Sequence, residues 1–269
     1  MGIRIVLLAS ATMALCACNN DPSGPGEYQF LDFQANSTAT YGWSASEEDS
    51  TGQTLFETTD TIETKVTSVD DIVGEYTGLT RMEAFSIPHY IGTTQVWYKQ
   101  YPDSLIEVAY SSAGATPFVL PKRAQASGMS VHALVQEEVS MRVPLVVQWL
   151  MREKGIQDSV IERDENRVVY RFPLVVGTSW TSFQAPFLET RQVVGYEVVT
   201  VGDRAYWCAK IRTMIPTLDP ALEWYDFVSS EGLVKRTLYH PDFVLVTSDD
   251  PDGLNVQRVT LRESLILMN

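Results

Sequence analysis

The sequence predicts an all-β protein: one antiparallel sheet curled as a meander or half-open barrel, with one or two short helices around 130–155. Three observations carry this expectation. From Glu27 onward the dominant period of apolar residues is two, not 3.6. Turn signals recur between runs rich in Thr, Val and Ile. In the last segment, Val259, Leu261, Leu265 and Leu267 share one face, with Glu263 as the exception, while Arg258, Thr260, Arg262 and Ser264 take the other. A sheet with one greasy and one wet face must close, curl or be covered.

The elements follow in order. TLFETTDTIETKVTSV (54–69) reads as a strand, and EYTGLTRMEAFSI (75–87) as another, following after Gly74. TTQVWYKQ and SLIEVAYSS flank Tyr101-Pro102-Asp103 and form a hairpin. DSVIERDENRVVYRF (158–172) reads as a hairpin turning at Asp164-Glu165-Asn166. Residues 191–214 form another, turning at Gly202-Asp203, and 223–240 another, with Gly232 near its bend. The last, 243–267, turns at Pro251-Asp252-Gly253. Hairpins in series indicate a meander. Only 113–155 departs. VHALVQEEV and PLVVQWLMREKG read as short helices, with Pro144 at a first helical position and Gly155 as a stop, although their β-branched residues leave strand open as an alternative. There is no repeat of 20–50 residues; Pro-Leu-Val-Val occurs at 144–147 and 173–176 without further matching around it.

Charge narrows the partners. The net charge is −14 and no basic run occurs, which argues against nucleic acid and against electrostatic docking on anionic lipid. Cys16, Cys18 and Cys208 are the only cysteines, too few for a disulfide-stapled domain.

Residues 1–18, MGIRIVLLASATMALCAC, have one charge at Arg4 and an apolar run too short to span a membrane. They have the form of a secretory signal peptide. Leu15-Cys16-Ala17-Cys18 resembles the lipobox of bacterial lipoproteins. The resemblance implies a signal peptide over 1–17, cleavage before Cys18, and acylation of Cys18. Several acyl chains anchor stably because each buried CH₂ contributes about 0.8 kcal/mol. Cys16 leaves with the signal, so a Cys16–Cys18 redox or metal pair is excluded under this reading. Residues 18–26 read as a flexible tether and 27–269 as a single β-rich domain. In the best-known sorting scheme Asp after the lipidated cysteine means inner-membrane retention; Asn19 therefore points to the outer membrane. Cys208, in AYWCAKI, reads as a buried inert thiol.

Within 173–236 the chain is similar to a loose group of β-rich bacterial lipoproteins of unknown function. The residues are Pro173, Leu174, Gly177 and Trp180; Glu197, Val199 and Val201; Cys208; and Trp224, Tyr225, Gly232, Leu233, Val234 and Lys235. The usual Pro-Ala-Gly turn of that group is replaced by Gly202-Asp203-Arg204. The resemblance implies no catalytic residues. More distantly the pattern resembles the half-barrels of lipoprotein carriers (LolA/LolB-like), which hold acyl chains against a concave apolar face.

No catalytic constellation emerges, and no cofactor or metal is expected. His89, His132 and His240 have no metal-ligand spacing. The His240-Pro241-Asp242 tripeptide lacks the helical hairpin of a J-domain. GTSWT (177–181) is not a nucleophile elbow. SDDPDG (248–253) starts like a calcium loop but has Val259 where the bidentate Glu belongs, so it reads as a turn. The paired carboxylates Glu47-Glu48-Asp49 and Glu137-Glu138 read as solvated faces. Trp97, Trp180, Trp207, Trp224 and Tyr225 are the remaining candidates, as core residues or as the lining of a concave apolar site. The expected function is a non-enzymatic, lipid-anchored envelope module that binds or carries an apolar ligand or envelope component. The alternative is a structural or protein-interaction lipoprotein without a small ligand.

Overall fold

The computed structural model describes residues 31, 33–87, 94–111, 160–184, 188–216, 221–250 and 253–268. They form twelve strands: β1 Thr38–Glu48, β2 Thr54–Val73, β3 Tyr76–Ile87, β4 Thr94–Tyr101, β5 Ser104–Ser111, β6 Val160–Arg171, β7 Ser179–Phe183, β8 Glu189–Val201, β9 Arg204–Ile215, β10 Leu222–Ser229, β11 Gly232–Asp250 and β12 Gly253–Met268. The helices expected around 130–155 lie outside the described residues.

All twelve strands belong to one sheet, ordered β6-β5-β4-β3-β2-β1-β12-β11-β10-β9-β8-β7. The ladders between neighbours are antiparallel. The order is the chain order cut at one place and written around a ring. First and last strands pair, from Thr40↔Met268 to Glu48↔Thr260. The cut falls between β6 and β7, which touch without forming a ladder. The sheet is thus a nearly closed antiparallel barrel with one seam, which removes all edges but two.

Alternation fixes which face looks inward. On β1, Tyr41, Trp43, Ala45 and Glu47 are buried, so Glu47 is not solvated as its acidic neighbours suggested but follows the strand's parity inward; on β12 Val259, Glu263 and Leu265 are buried too. Arg258, Arg262, Ile266 and Met268 are exposed. The Tyr41 hydroxyl donates to the Leu233 carbonyl at 2.9 Å, reaching across β12 to β11 on the concave side.

The expected hairpins 93–112, 191–214, 223–240 and 243–267 form as adjacent antiparallel pairs, and β2 pairs with β3 in the same way. Gly202 and Gly232 take positive φ, 56° and 119°, at their bends. One hairpin does not form. Residues 160–171 are a single strand, and Asp164-Glu165-Asn166 do not turn. The register against β5 steps from Ala109↔Glu162 to Glu107↔Arg167, so Arg163–Asn166 oppose Val108 alone. Polar residues that usually mark a turn here fill a wide irregularity of the ladder. Strands β1 and β7 had no distinct strand signature in the sequence.

Direction matters for function. Antiparallel pairing puts the turns 74–75, 102–103 and 202–203, 230–231, the loop 172–178, the entry to β1 and the end of β12 at one end of the sheet. Strands β1, β3, β5, β7, β9 and β11 end, and β2, β4, β6, β8, β10 and β12 begin, at the other. At that far end one hairpin extends further. The register shift between His240 and Phe243 adds Pro241 and Asp242, the latter with φ 60°. Beyond it, β11 and β12 pair only with each other up to Asp250↔Gly253. At about 3.4 Å per residue, this hairpin projects by about 25 Å. The tripeptide His240-Pro241-Asp242 is therefore a bulge at the base of a projecting hairpin.

Candidate functional site

The inward face carries two features, an aromatic cluster and a chain of charges. The cluster joins Tyr170, Phe172, Leu174, Trp180, Val193 and Ile211, with Tyr196 and Trp207 packed against it. The rings of Tyr196 and Trp207 are stacked with centroids 6.3 Å apart. Leu31 is buried in the same cluster, and Phe33 stacks on Tyr98 at 6.4 Å. The segment that precedes β1 therefore packs into the barrel rather than skirting it. Asn36 N–H donates to the Val66 carbonyl at 2.7 Å and fixes its entry.

The charges alternate in sign around the inside of the wall. Glu107 on β5 faces Arg167 on β6 at 3.4 Å. Arg167 reaches Glu189 on β8 at 2.7 Å. Glu189 also meets Arg191 at 3.0 Å, and Arg191 lies 3.9 Å from Asp226 on β10. Asp226 holds a bidentate pair with Arg236 on β11, one arm at 2.7 Å. Asp226 is 0% exposed and Arg191 2%. Burial pushes the Glu189 carboxyl upward, but Arg167 and Arg191 outweigh it and hold its pKa at about 2. Burial works against the charge on Arg167 and Arg236, and their acidic partners overcome it, so both stay firmly protonated. Low-dielectric surroundings make such ions tolerable only when each is paired.

This chain also holds the seam. Arg167 belongs to β6 and Glu189 to β8, on opposite sides of the cut. Arg191 Nη1 donates to the Val169 carbonyl at 2.9 Å, and the Trp180 indole N–H to the Val168 carbonyl at 3.1 Å. Carbonyls of β6 that a ladder would have used are thus taken by side chains from β7 and β8.

A further buried carboxylate sits near β1. The Trp43 indole donates to Glu263 at 2.5 Å. Glu263, the exception in the apolar pattern of the last strand, is thus a buried acceptor on that face. Burial pushes the Tyr41 phenol up to about 12.

The sequence-nominated aromatics are not all brought together. Trp180 and Trp207 share the main cluster. Trp224 packs instead with Ile215 and Leu238. Tyr225, next along β10, packs against Val199, Tyr206, Cys208, Phe227 and Val234. Trp97 lies apart with Leu79 and Val108, its indole donating to Asp71 at 2.9 Å. Cys208 is buried, and burial pushes its thiol up to about 12, as an inert packing residue requires. Cys18 lies outside the described residues. The charge chain escaped the sequence reading because its members are scattered over 130 positions; the one local hint was a charge on an otherwise apolar face, as at Asp226 between Trp224 and Val228.

No family model and no curated protein matches the sequence. Two solved structures align with it along most of their length. One, from Bacteroides fragilis NCTC 9343, is described as a candidate exported protein with a YmcC-like fold; it is 10% identical, with a TM-score of 0.37, covering 88% of this chain and 96% of its own. The other, a candidate lipoprotein from Parabacteroides distasonis ATCC 8503, is 12% identical, with a TM-score of 0.33, covering 89% and 98%.

Proposed function

We propose that the chain is a lipid-anchored protein of the bacterial envelope, held to the outer membrane through Cys18, whose barrel recognises another envelope protein. The anchor rests on Leu15-Cys16-Ala17-Cys18 after an apolar run, and the outer membrane on Asn19. The observation that favours recognition over transport is the charge chain. Asp226, Arg191 and Glu189 are buried and spend their polar atoms on Arg236, on Arg167, on one another and on backbone. A continuous apolar cavity for an acyl chain would have to pass these ions. The β11–β12 hairpin, which projects beyond its neighbours at the far end, offers a partner a surface outside the barrel wall.

The carrier reading keeps one observation in its favour: Trp180 and Trp207 meet in one apolar cluster. A fluorescent fatty acid titrated into the lipidated protein separates the two. No saturable binding, together with a specific crosslink from the β11–β12 hairpin to an envelope protein, supports recognition. Stoichiometric binding quenched by Trp180→Ala overturns it. For the anchor, Cys18→Ala abolishes acyl labelling while Cys16→Ala retains it.

A further inference from the structure

Large apolar side chains left exposed gather at one end of the barrel. Among the described residues, Ile72 is 64% exposed, Val198 49%, Val176 and Met268 48%, Val175 43% and Tyr101 37%. Ile72 sits beside the 74–75 turn, Tyr101 beside the 102–103 turn, and Val175 and Val176 in the 172–178 loop. Val198 is in the last turnward part of β8 and Met268 ends β12. Tyr239 and Val194 are exposed too but lie mid-strand, Tyr239 with the Arg262 guanidinium 4.7 Å from its ring centroid. Single exposed apolar residues are normal. Their arrival at one end from β2, β4, the β6–β7 loop, β8 and β12 is the informative part.

That same end admits the N-terminal segment. Leu31 and Phe33 are packed inside, and Ser37 and Asn36 bond to Val66 on β2. Cys18 precedes Leu31 by 31 − 18 = 13 residues. At no more than about 3.5 Å each, a membrane bound through Cys18 lies within about 45 Å of this end.

We propose that this end faces the bilayer and that its apolar rim rests in the lipid interface. The proposal builds on the lipid-anchor reading. Tethering raises the local concentration of the rim at the membrane, so contacts too weak to recruit the domain alone suffice to orient it. The net charge of −14 makes the contact apolar rather than electrostatic, which fits valine, isoleucine, methionine and an interfacial tyrosine.

The test uses the mature lipidated protein in phosphatidylcholine–phosphatidylethanolamine vesicles. Ile72→Cys, Val176→Cys and Met268→Cys carry an environment-sensitive fluorophore, with Thr51→Cys in the opposite-end turn as control. Cys208 is buried and stays unlabelled. The expected result is several-fold stronger quenching by nitroxide lipids at the three rim sites than at Thr51, unchanged in about 0.5 M salt, where charge contacts are screened. Equal quenching at all four sites in protein that is acylated and co-floats with vesicles overturns the proposal. So does shielding that appears only in native envelope membranes, which would make a protein the occupant. Protein without acyl label that stays in solution overturns the anchor reading instead.

Discussion

Asp226 is the residue on which the interior depends most. It is fully buried and has Arg236 as its bidentate partner. Removing one member of such a pair leaves an uncompensated ion and costs about 3–5 kcal/mol. Arg236→Ala is expected to lose that much in urea unfolding, whereas the double variant Asp226→Leu/Arg236→Met recovers most of it. Thr213 gives the opposite sign. It is 0% exposed between Arg191 and Trp224 in the register, and its hydroxyl has no partner among the described residues. Thr213→Val removes a desolvated hydroxyl and is expected to raise stability by about 1 kcal/mol. Glu189 titrates in acid. Its folded pKa of about 2 lies below the ordinary 4.5, so its stabilising contribution is complete above about pH 4.5 and lost as pH falls through 2. Glu189→Gln should therefore be less stable than the parent at neutral pH, with the difference shrinking steadily between pH 4.5 and 2.

Among the elements, hairpins were legible in the sequence because turn chemistry is local. Gly202 and Gly232 announce their bends, and both adopt positive φ. Gly232 has open space where a Cβ would stand, so a Gly232→Ala penalty comes from backbone conformation alone, about 1–3 kcal/mol. The same locality misled at Asp164-Glu165-Asn166. Three polar residues mark a turn only when the strands on either side can pair with each other, and here both halves pair with β5. Strand β7 was invisible for a different reason. Five residues are too few for alternation to stand out, and its position is fixed by Trp180 reaching Val168 and by the bonds of Gly177 and Thr178 to Val193. Because the seam is held by side chains, Arg167→Met should accelerate amide exchange in β6 and β7 and leave β1 and β12 protected.

For the whole molecule, a curled or half-open barrel was readable from the one-sided last strand, and the strands that meet to close it were not. A ring of strands depends on partners far apart in sequence, such as Trp43 and Glu263. The candidate site shares that fate. Glu107, Arg167, Glu189, Asp226 and Arg236 each look like an isolated charge until five strands bring them to one face. The nominated aromatics fared unevenly because strand parity sends neighbours such as Trp224 and Tyr225 to opposite sides.

The pairing of β1 with β12 sets a timetable. The first strand has its second neighbour only when the sixteen residues of β12 exist. Chains lengthen at roughly 5–20 residues per second, so β1 waits on the order of ten seconds or longer with one edge open. Long-range closure of this kind is also slow in itself. A ring built this way closes most cleanly when both end strands are released together, before the open edge of β1 meets another chain.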